Sequence, residues 1–288
     1  MDILWALLIA GIANGAVYAM AGLTYNIMFS TSKVLSMTVG PVVMIGGVLG
    51  AFFIGICNIP AWLGAILVLV CGGLAGFITE WLGVRRVITK IEQHLYVLST
   101  LALGIMIQEP VGFLWGTEPR PFPDIYGSGW VGLSDPKYYA PLILAILMII
   151  AIELFYRKTM YGKAFLAVSQ DTFAARARGI PVTRVRVMSY VLAGIIGSAA
   201  GFAAGKLTFA YFAVGHNFTM YGFIALALGG LGSNLGALVG GLILGIALES
   251  ANYFFGGIYM DGVALAILIS VLLIVPRGFF GVEGARRV

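Results

Sequence analysis

Charge is scarce in this sequence: 10% of its 288 residues are Asp, Glu, Lys or Arg, while 60% are hydrophobic. A soluble domain of this length is not solvated by so little charge, so the chain is expected to be a polytopic membrane protein. Histidine and cysteine are nearly absent, with two copies of each. No H-E-x-x-H run or Cys/His cluster occurs, which argues against metal chemistry, and no G-x-S-x-G elbow is present. A G-x-x-x-x-G-K-[ST] phosphate loop is also missing, which excludes ATP hydrolysis by that route. Cys57 and Cys71 fall in or beside apolar stretches and read as small hydrophobes, with a structural disulfide as the alternative. A basic leader is missing too. Met1-Asp2 runs directly into an apolar segment, so the N-terminus is expected to be the first span. The net charge of +5 sits in loops and at the C-terminus, a pattern of membrane orientation rather than nucleic-acid binding.

What is abundant is apolar run and glycine. Runs near 3–29, 34–56, 61–82, 94–115, 138–155, 187–210, 218–231, 235–255 and 260–276 read as spans. The seventh run is short and ends on the turn Gly232-Ser233-Asn234, so it reads as a crossing or as a re-entrant half helix. The fold class expected is all-α: a membrane helical bundle of eight or nine spans or half-spans. These spans leave no room for a separate soluble domain, so residues 1–288 are expected to be one transmembrane unit. Forty glycines, in pairs such as Gly11/Gly15, Gly72/Gly76 and Gly241/Gly245, imply closely packed helices without identifying a dimer face.

Orientation follows from Lys and Arg. Arg85, Arg86 and Lys90, the central segment 156–186, and Arg277, Arg286 and Arg287 all fall inside if the N-terminus is outside and nine passes are made. The opposite loop, 116–137, carries Glu118, Asp124 and Asp135 against Arg120 and Lys137, and suits an ordered external loop. An internal echo pairs Leu23-Thr24-Tyr25 and Gly46-Gly47 with Leu207-Thr208-Phe209 and Gly229-Gly230, and sets Ser36-Met37-Thr38 against Phe218-Thr219-Met220. Such an echo is either chance or a transport path built on duplicated topology.

The central segment has the punctuation of a small folded unit. Asp171 can cap a helix starting at Thr172, Gly179 stands where a left-handed residue would end it, and Pro181 forbids its continuation. Two short helices are expected, near 163–169 and 172–178, opened by Gly162. A basic hairpin of this kind is a solvated inside loop or a docking surface.

Ionisable and polar groups at membrane depth are the other candidates. Glu109 sits between Gln108 and Pro110, at an expected kink, and Glu249 is three residues before Asn252 on one helix face. Either lines a polar path or makes an ordinary bond between helices. Asn14 and Tyr18 share a face in the first span; with Thr38, Gly40 and Pro41 they form a candidate midplane site, the alternative being plain interhelical bonding. Thr219 joins them through the echo. Glu153 is placed to pair with Arg157, Glu80 is expected near the headgroups beside Arg85, and His94 reads as interfacial.

The segment Tyr161-Gly162-Lys163-Ala164-Phe165 through Ala174-Ala175-Arg176-Ala177-Arg178-Gly179-Ile180 resembles the coupling loop of bacterial ABC-importer permeases. Tyr18-Ala19-Met20-Ala21-Gly22-Leu23-Thr24 and Gly229-Gly230-Leu231-Gly232-Ser233-Asn234 are similar to the branched-chain amino acid permeases of the LivH kind. The resemblance covers nearly the whole chain. It implies that segment 156–186 is a cytoplasmic coupling loop, with Gly162, Lys163, Ala164, Asp171, Ala174, Ala175, Arg176, Arg178 and Gly179 at the ATPase contact. It further implies two ABC ATPase subunits that bind the ATP and Mg, a second permease that is identical or paralogous, a soluble substrate-binding protein outside, and a bacterial inner-membrane location. No cofactor is implied in this chain. One departure is Leu35-Ser36-Met37-Thr38-Val39-Gly40-Pro41, where the family usually shows an Asn-Phe-Ala-His-Gly-type stretch. The cargo implied is therefore a branched-chain amino acid or a related amino acid, small carboxylate or amide. The competing class is an ion-coupled secondary transporter using Glu109 or Glu249.

Overall fold

The computed structural model describes residues 2–87, 95–116, 118–125, 135–275 and 278–281. Lys90, His94, Arg277, Arg286 and Arg287 lie outside the described residues. Inside a bilayer no water satisfies the backbone, so apolar segments become helices. The helices are α1 (Asp2–Ser32), α2 (Val39–Ala51), α3 (Ala61–Ile78), α4 (Leu95–Trp115), α5 (Pro136–Lys158), α6 (Met160–Gln170), α7 (Thr172–Ala177), α8 (Val182–Ala204), α9 (Val214–Gly229), α10 (Asn234–Phe255) and α11 (Met260–Ile274). π-helical turns extend α2 to Ile56 and α3 to Val84. Among the described residues eight helices are long and apolar enough to cross a membrane, and α9, with 16 residues, is not one of them. The short seventh run is thus a half helix.

α1 is the centre of the bundle and packs along α10, α8, α9 and α5. Its seam with α10 has no room for side chains: a Cβ on Gly15 would lie 2.8 Å from the Gly241 carbonyl oxygen, and one on Gly245 would overlap Gly11 and Gly15. The Gly-xxx-Gly pairs of two helices therefore interlock within one chain. Cys57 is exposed, Cys71 half-buried, and both are free thiols.

Two breaks organise the interior. After α1 the chain turns at Lys33, with a left-handed φ of 57°, and re-enters to start α2. After α8, residues 205–213 re-enter to start α9. The first turns of these two helices touch: a Cβ on Gly40 would overlap the Gly215 carbonyl, and one on Gly215 would lie 3.0 Å from the Gly40 carbonyl oxygen. Gly104 of α4 abuts the same junction at Pro41. It lies about 14 Å along α4 from Leu95, near the middle of a ~30 Å hydrocarbon core. From this point α2 runs toward Phe122 of the 116–137 loop, and α9 runs toward the α1 end that carries Asn26. α1–break–α2 and α8–break–α9 thus run in opposite senses about this junction. The echo expected from sequence has a different register: residues 23–25 are inside α1, whereas 207–209 are in the turn after α8. Gly40 and Gly215 are the glycines that meet at the junction.

Lys33 donates to the Ser169 carbonyl at 2.7 Å, and Arg85 lines one cavity with Arg178, so these basic segments share a face. The expected limits of the central segment need correction. α5 continues to Lys158 and α8 begins at Val182, so Arg184 and Arg186 belong to a helix. Arg186 does not interrupt that helix because its charge is met by an acid in the interior.

Candidate functional site

The hairpin between α5 and α8 is built by local capping. The Thr159 hydroxyl accepts the Gly162 N–H at 2.9 Å, which starts α6 three residues before the expected position. Gly162 is an approach point rather than an opening turn, because a Cβ there would overlap the Phe155 carbonyl. Phe165 stacks on Tyr156 at 4.8 Å, and Val168 is buried, which fixes α6 to α5. The Asp171 carboxylate accepts the N–H groups of Phe173 at 2.8 Å and Ala174 at 3.0 Å. α7 ends with Gly179 at φ 81°, whose N–H reaches the Arg176 carbonyl while Ile180 N–H reaches Ala175, a doubly bonded glycine cap. Ala175 faces inward. Lys163, Ala174, Arg176, Arg178 and Gly179 are exposed, and Ala164 is half-buried. Phe173 is 82% exposed at the tip, a residue that sequence reasoning had not singled out. Lys33 braces the hairpin from α1, and its partial burial lowers its pKa from the ordinary lysine value.

A second site lies in the opposite half of the bundle. A cavity of about 410 Å³ is lined by Asn14 and Tyr18 of α1, Asn217 and Tyr221 of α9, Glu249 and Asn252 of α10, and Asp261 of α11. It adjoins the 207–211 turn, which pairs with the external loop through Arg120 and Ala210. Asn14 donates to Glu249 Oε2 at 3.3 Å, and the Tyr221 hydroxyl donates to Asp261 Oδ1 at 2.7 Å. Three of the residues singled out from sequence, Asn14, Tyr18 and Glu249, thus share one chamber. Thr38, Gly40, Pro41 and Thr219 do not line it. They form the buried helix junction, where Thr38 bonds Ser36 at 2.8 Å and Thr219 donates back to the Gly215 carbonyl at 3.0 Å. Glu109 is exposed on α4 and is not among the lining residues of this chamber. Asp261 and Tyr221 were not foreseen, since only the fold brings the start of α11 beside α9. Among the described residues, no three His, Cys, Asp or Glu side chains gather to hold a metal ion.

Residues 7–272 match the family model for the branched-chain amino acid transport system permease component. The chain belongs to that family. It is a transmembrane permease subunit of an ABC importer. The permease is 27% identical to the high-affinity branched-chain amino acid permease LivH of Salmonella typhimurium, over 94% of this chain and 93% of that one. It is 25% identical to BraD of Pseudomonas aeruginosa over 95% and 94% of the two chains. It is also similar to the L-arabinose permease AraH of Escherichia coli, 26% identical over 73% of this chain and 57% of that one. Its fold is like that of PsaBC from Streptococcus pneumoniae in complex with Fab, with a TM-score of 0.51 at 17% identity, covering 94% and 91% of the chains.

Where α8 leaves the hairpin, the permease carries a buried polar chain. Arg186 Nε donates to Glu80 Oε1 at 2.8 Å, and Glu80 is wholly buried. The expectation that Glu80 lies at the headgroups beside Arg85 is corrected: an inward-facing position on α3 beside α8 gives it a fixed cation. Its Oε2 has no hydrogen-bond partner among the described residues. The Ser189 hydroxyl donates to the Arg186 carbonyl at 2.7 Å and meets Thr31 at 2.5 Å, and Tyr190 meets Ser32 at 3.1 Å. The helix that follows the hairpin is thereby tied to α3 and to the end of α1. Glu153 and Arg157 pair at 2.8 Å on the surface, as their spacing predicts.

Proposed function

We propose that this permease passes a branched-chain amino acid or a related amino acid, small carboxylate or amide inward across the bacterial cytoplasmic membrane, driven by two separate ATPase subunits that bind ATP and Mg. One transmembrane unit spans residues 1–288 and pairs with a second permease, and a soluble binding protein delivers cargo to the 116–137 face. The carrying observation is the hairpin: rigidly capped, fixed to α5 and α8, yet presenting Phe173 at 82% exposure. A large aromatic left in solvent beside Lys163, Arg176 and Arg178 suits a groove on a partner. Gly162, Ala164, Asp171, Ala174, Ala175 and Gly179 shape that tip. Pushing on it moves α8 through the Arg186–Glu80 tie and works the Gly40–Gly215 junction, with Thr38, Pro41 and Thr219 around it. Asn14, Tyr18 and Glu249 line the path on the far side, and Glu109 stands outside it.

The test is Ala174→Pro in the reconstituted importer. Proline removes one of the two N–H groups that bond Asp171 and disfavours helical backbone at Phe173, so the start of α7 is weakened. ATP-driven uptake is expected to fall by about tenfold or more while membrane insertion and the melting profile persist. Intact uptake would refute the docking role. Uptake by the lone chain, driven by an ion gradient without ATP, would refute the reading entirely.

A further inference from the structure

The outer chamber contains an unbalanced charge. Glu249 and Asp261 both line it, and no Lys or Arg does. Lys206, adjacent to the lining residue Leu207, donates to Asp124 at 2.6 Å instead. Each carboxylate has one oxygen held by a neutral donor, Glu249 by Asn14 and Asp261 by Tyr221. The remaining oxygens, Glu249 Oε1 and Asp261 Oδ2, make no hydrogen bond or ion pair among the described residues. Glu249 is half-buried within α10 and Asp261 is exposed in the first turn of α11, so Glu249 is the carboxylate that most needs a counter-charge. Neither Asn14 nor Tyr221 can supply one.

A second observation points into the same space. Tyr18 is 7% exposed and lines the chamber, yet its hydroxyl has no partner among the described residues. Its ring is fixed edge-on against Tyr221 at 5.0 Å and tilted against Phe218, so the hydroxyl cannot swing away to find one. The ring is buried and the hydroxyl oxygen is left open to the chamber, where a solute can bond it. The chamber therefore offers two spare acceptor oxygens, one spare hydroxyl and amide side chains around them, in a volume of about 410 Å³. That volume takes a small solute.

We infer that this chamber is the point at which the cargo's cationic nitrogen is recognised: Glu249 and Asp261 take a primary ammonium or guanidinium, and Tyr18 donates to the oxygen end of the same solute. The cargo class is then a cation or zwitterion bearing such a nitrogen, and a plain carboxylate of the same shape is rejected. This rests on the reading that the chain is a permease for small solutes, and it narrows the cargo beyond that reading. Charge-assisted bonds are about twice as strong as neutral ones and supply the discrimination.

The test uses the full chain in lipid nanodiscs and equilibrium binding of three radiolabelled probes of one shape. L-leucinamide has the ammonium without a carboxylate, L-leucine has both, and 4-methyl-2-oxopentanoate has the carboxylate alone. Leucinamide and leucine are expected to bind at least about tenfold tighter than the oxo acid. Glu249→Gln combined with Asp261→Asn is expected to abolish that preference. A second readout on the unaltered chain covers a double variant that does not fold. Leucinamide should slow carbodiimide labelling of Glu249 and the oxo acid should not. Equal binding of all three probes, no binding of any, a preference retained in the double variant, or labelling that leucinamide does not slow would each overturn the assignment. Neither readout involves an ATPase. Failure here leaves the coupling hairpin untouched, and failure of Ala174→Pro to impair uptake leaves the chamber untouched.

Discussion

Glu80→Ala is the substitution with the largest effect expected outside the seams. It leaves Arg186, whose side chain is 10% exposed, without its 2.8 Å partner in the bundle interior. Removing one member of a buried ion pair costs about 3–5 kcal/mol, because the remaining charge is desolvated and uncompensated. For a chain of this size that is a fall in Tm on the order of 10 °C. The pair as a whole is worth far less. Glu80 Oε2 has no partner, so the wild-type arrangement already carries an unmet acceptor. Glu80→Met with Arg186→Met removes both charges and the orphan oxygen, and should stay within about 1 kcal/mol of the wild type. The assay is thermal unfolding of the nanodisc-embedded chain for the wild type, Glu80→Met, Arg186→Met and the double variant, with Glu80→Ala measured beside them. A coupling of at least about 5 kcal/mol is expected, because each single removal costs about 3–5 kcal/mol and the double variant about 1 or less. If Glu80→Ala shifted stability by under about 1 kcal/mol, the pair would not be buried in the folded protein, and the link from hairpin to span would be lost.

Two further outcomes follow from close geometry. Gly15→Val should prevent α1 from seating on α10, since even a Cβ would stand 2.8 Å from the Gly241 carbonyl; the readout is loss of the monodisperse peak on size-exclusion chromatography. Asp171→Ala removes two capping bonds of 2.8 and 3.0 Å, a loss of about 1 kcal/mol, and should speed hydrogen exchange in 172–177 without changing exchange in α8.

Much of the hairpin was legible because its determinants are local. An Asp before a short helix and a Gly-Ile-Pro after it act on backbone groups within four residues, so α7 was placed at Thr172 from sequence. Thr159 was overlooked as the cap of α6, and Phe173 was overlooked because exposure is not a property of sequence. The chamber was half legible. Asn14 and Tyr18 share a helix face by spacing, and Glu249 was visible as a carboxylate at depth, but nothing local relates either to Asp261.

By itself the sequence determined that the chain is an all-helical membrane protein with a basic hairpin, since scarce charge, apolar run length and local caps depend only on neighbours along the chain. Tertiary structure alone decided which carboxylates meet a cation and which do not. Glu80 acquired Arg186 from α8, 106 positions away, whereas Glu249 and Asp261 acquired only neutral donors. The strength of a charge in a bilayer is set by what the fold places beside it, and that depends on helix packing rather than on the residue's own stretch of chain.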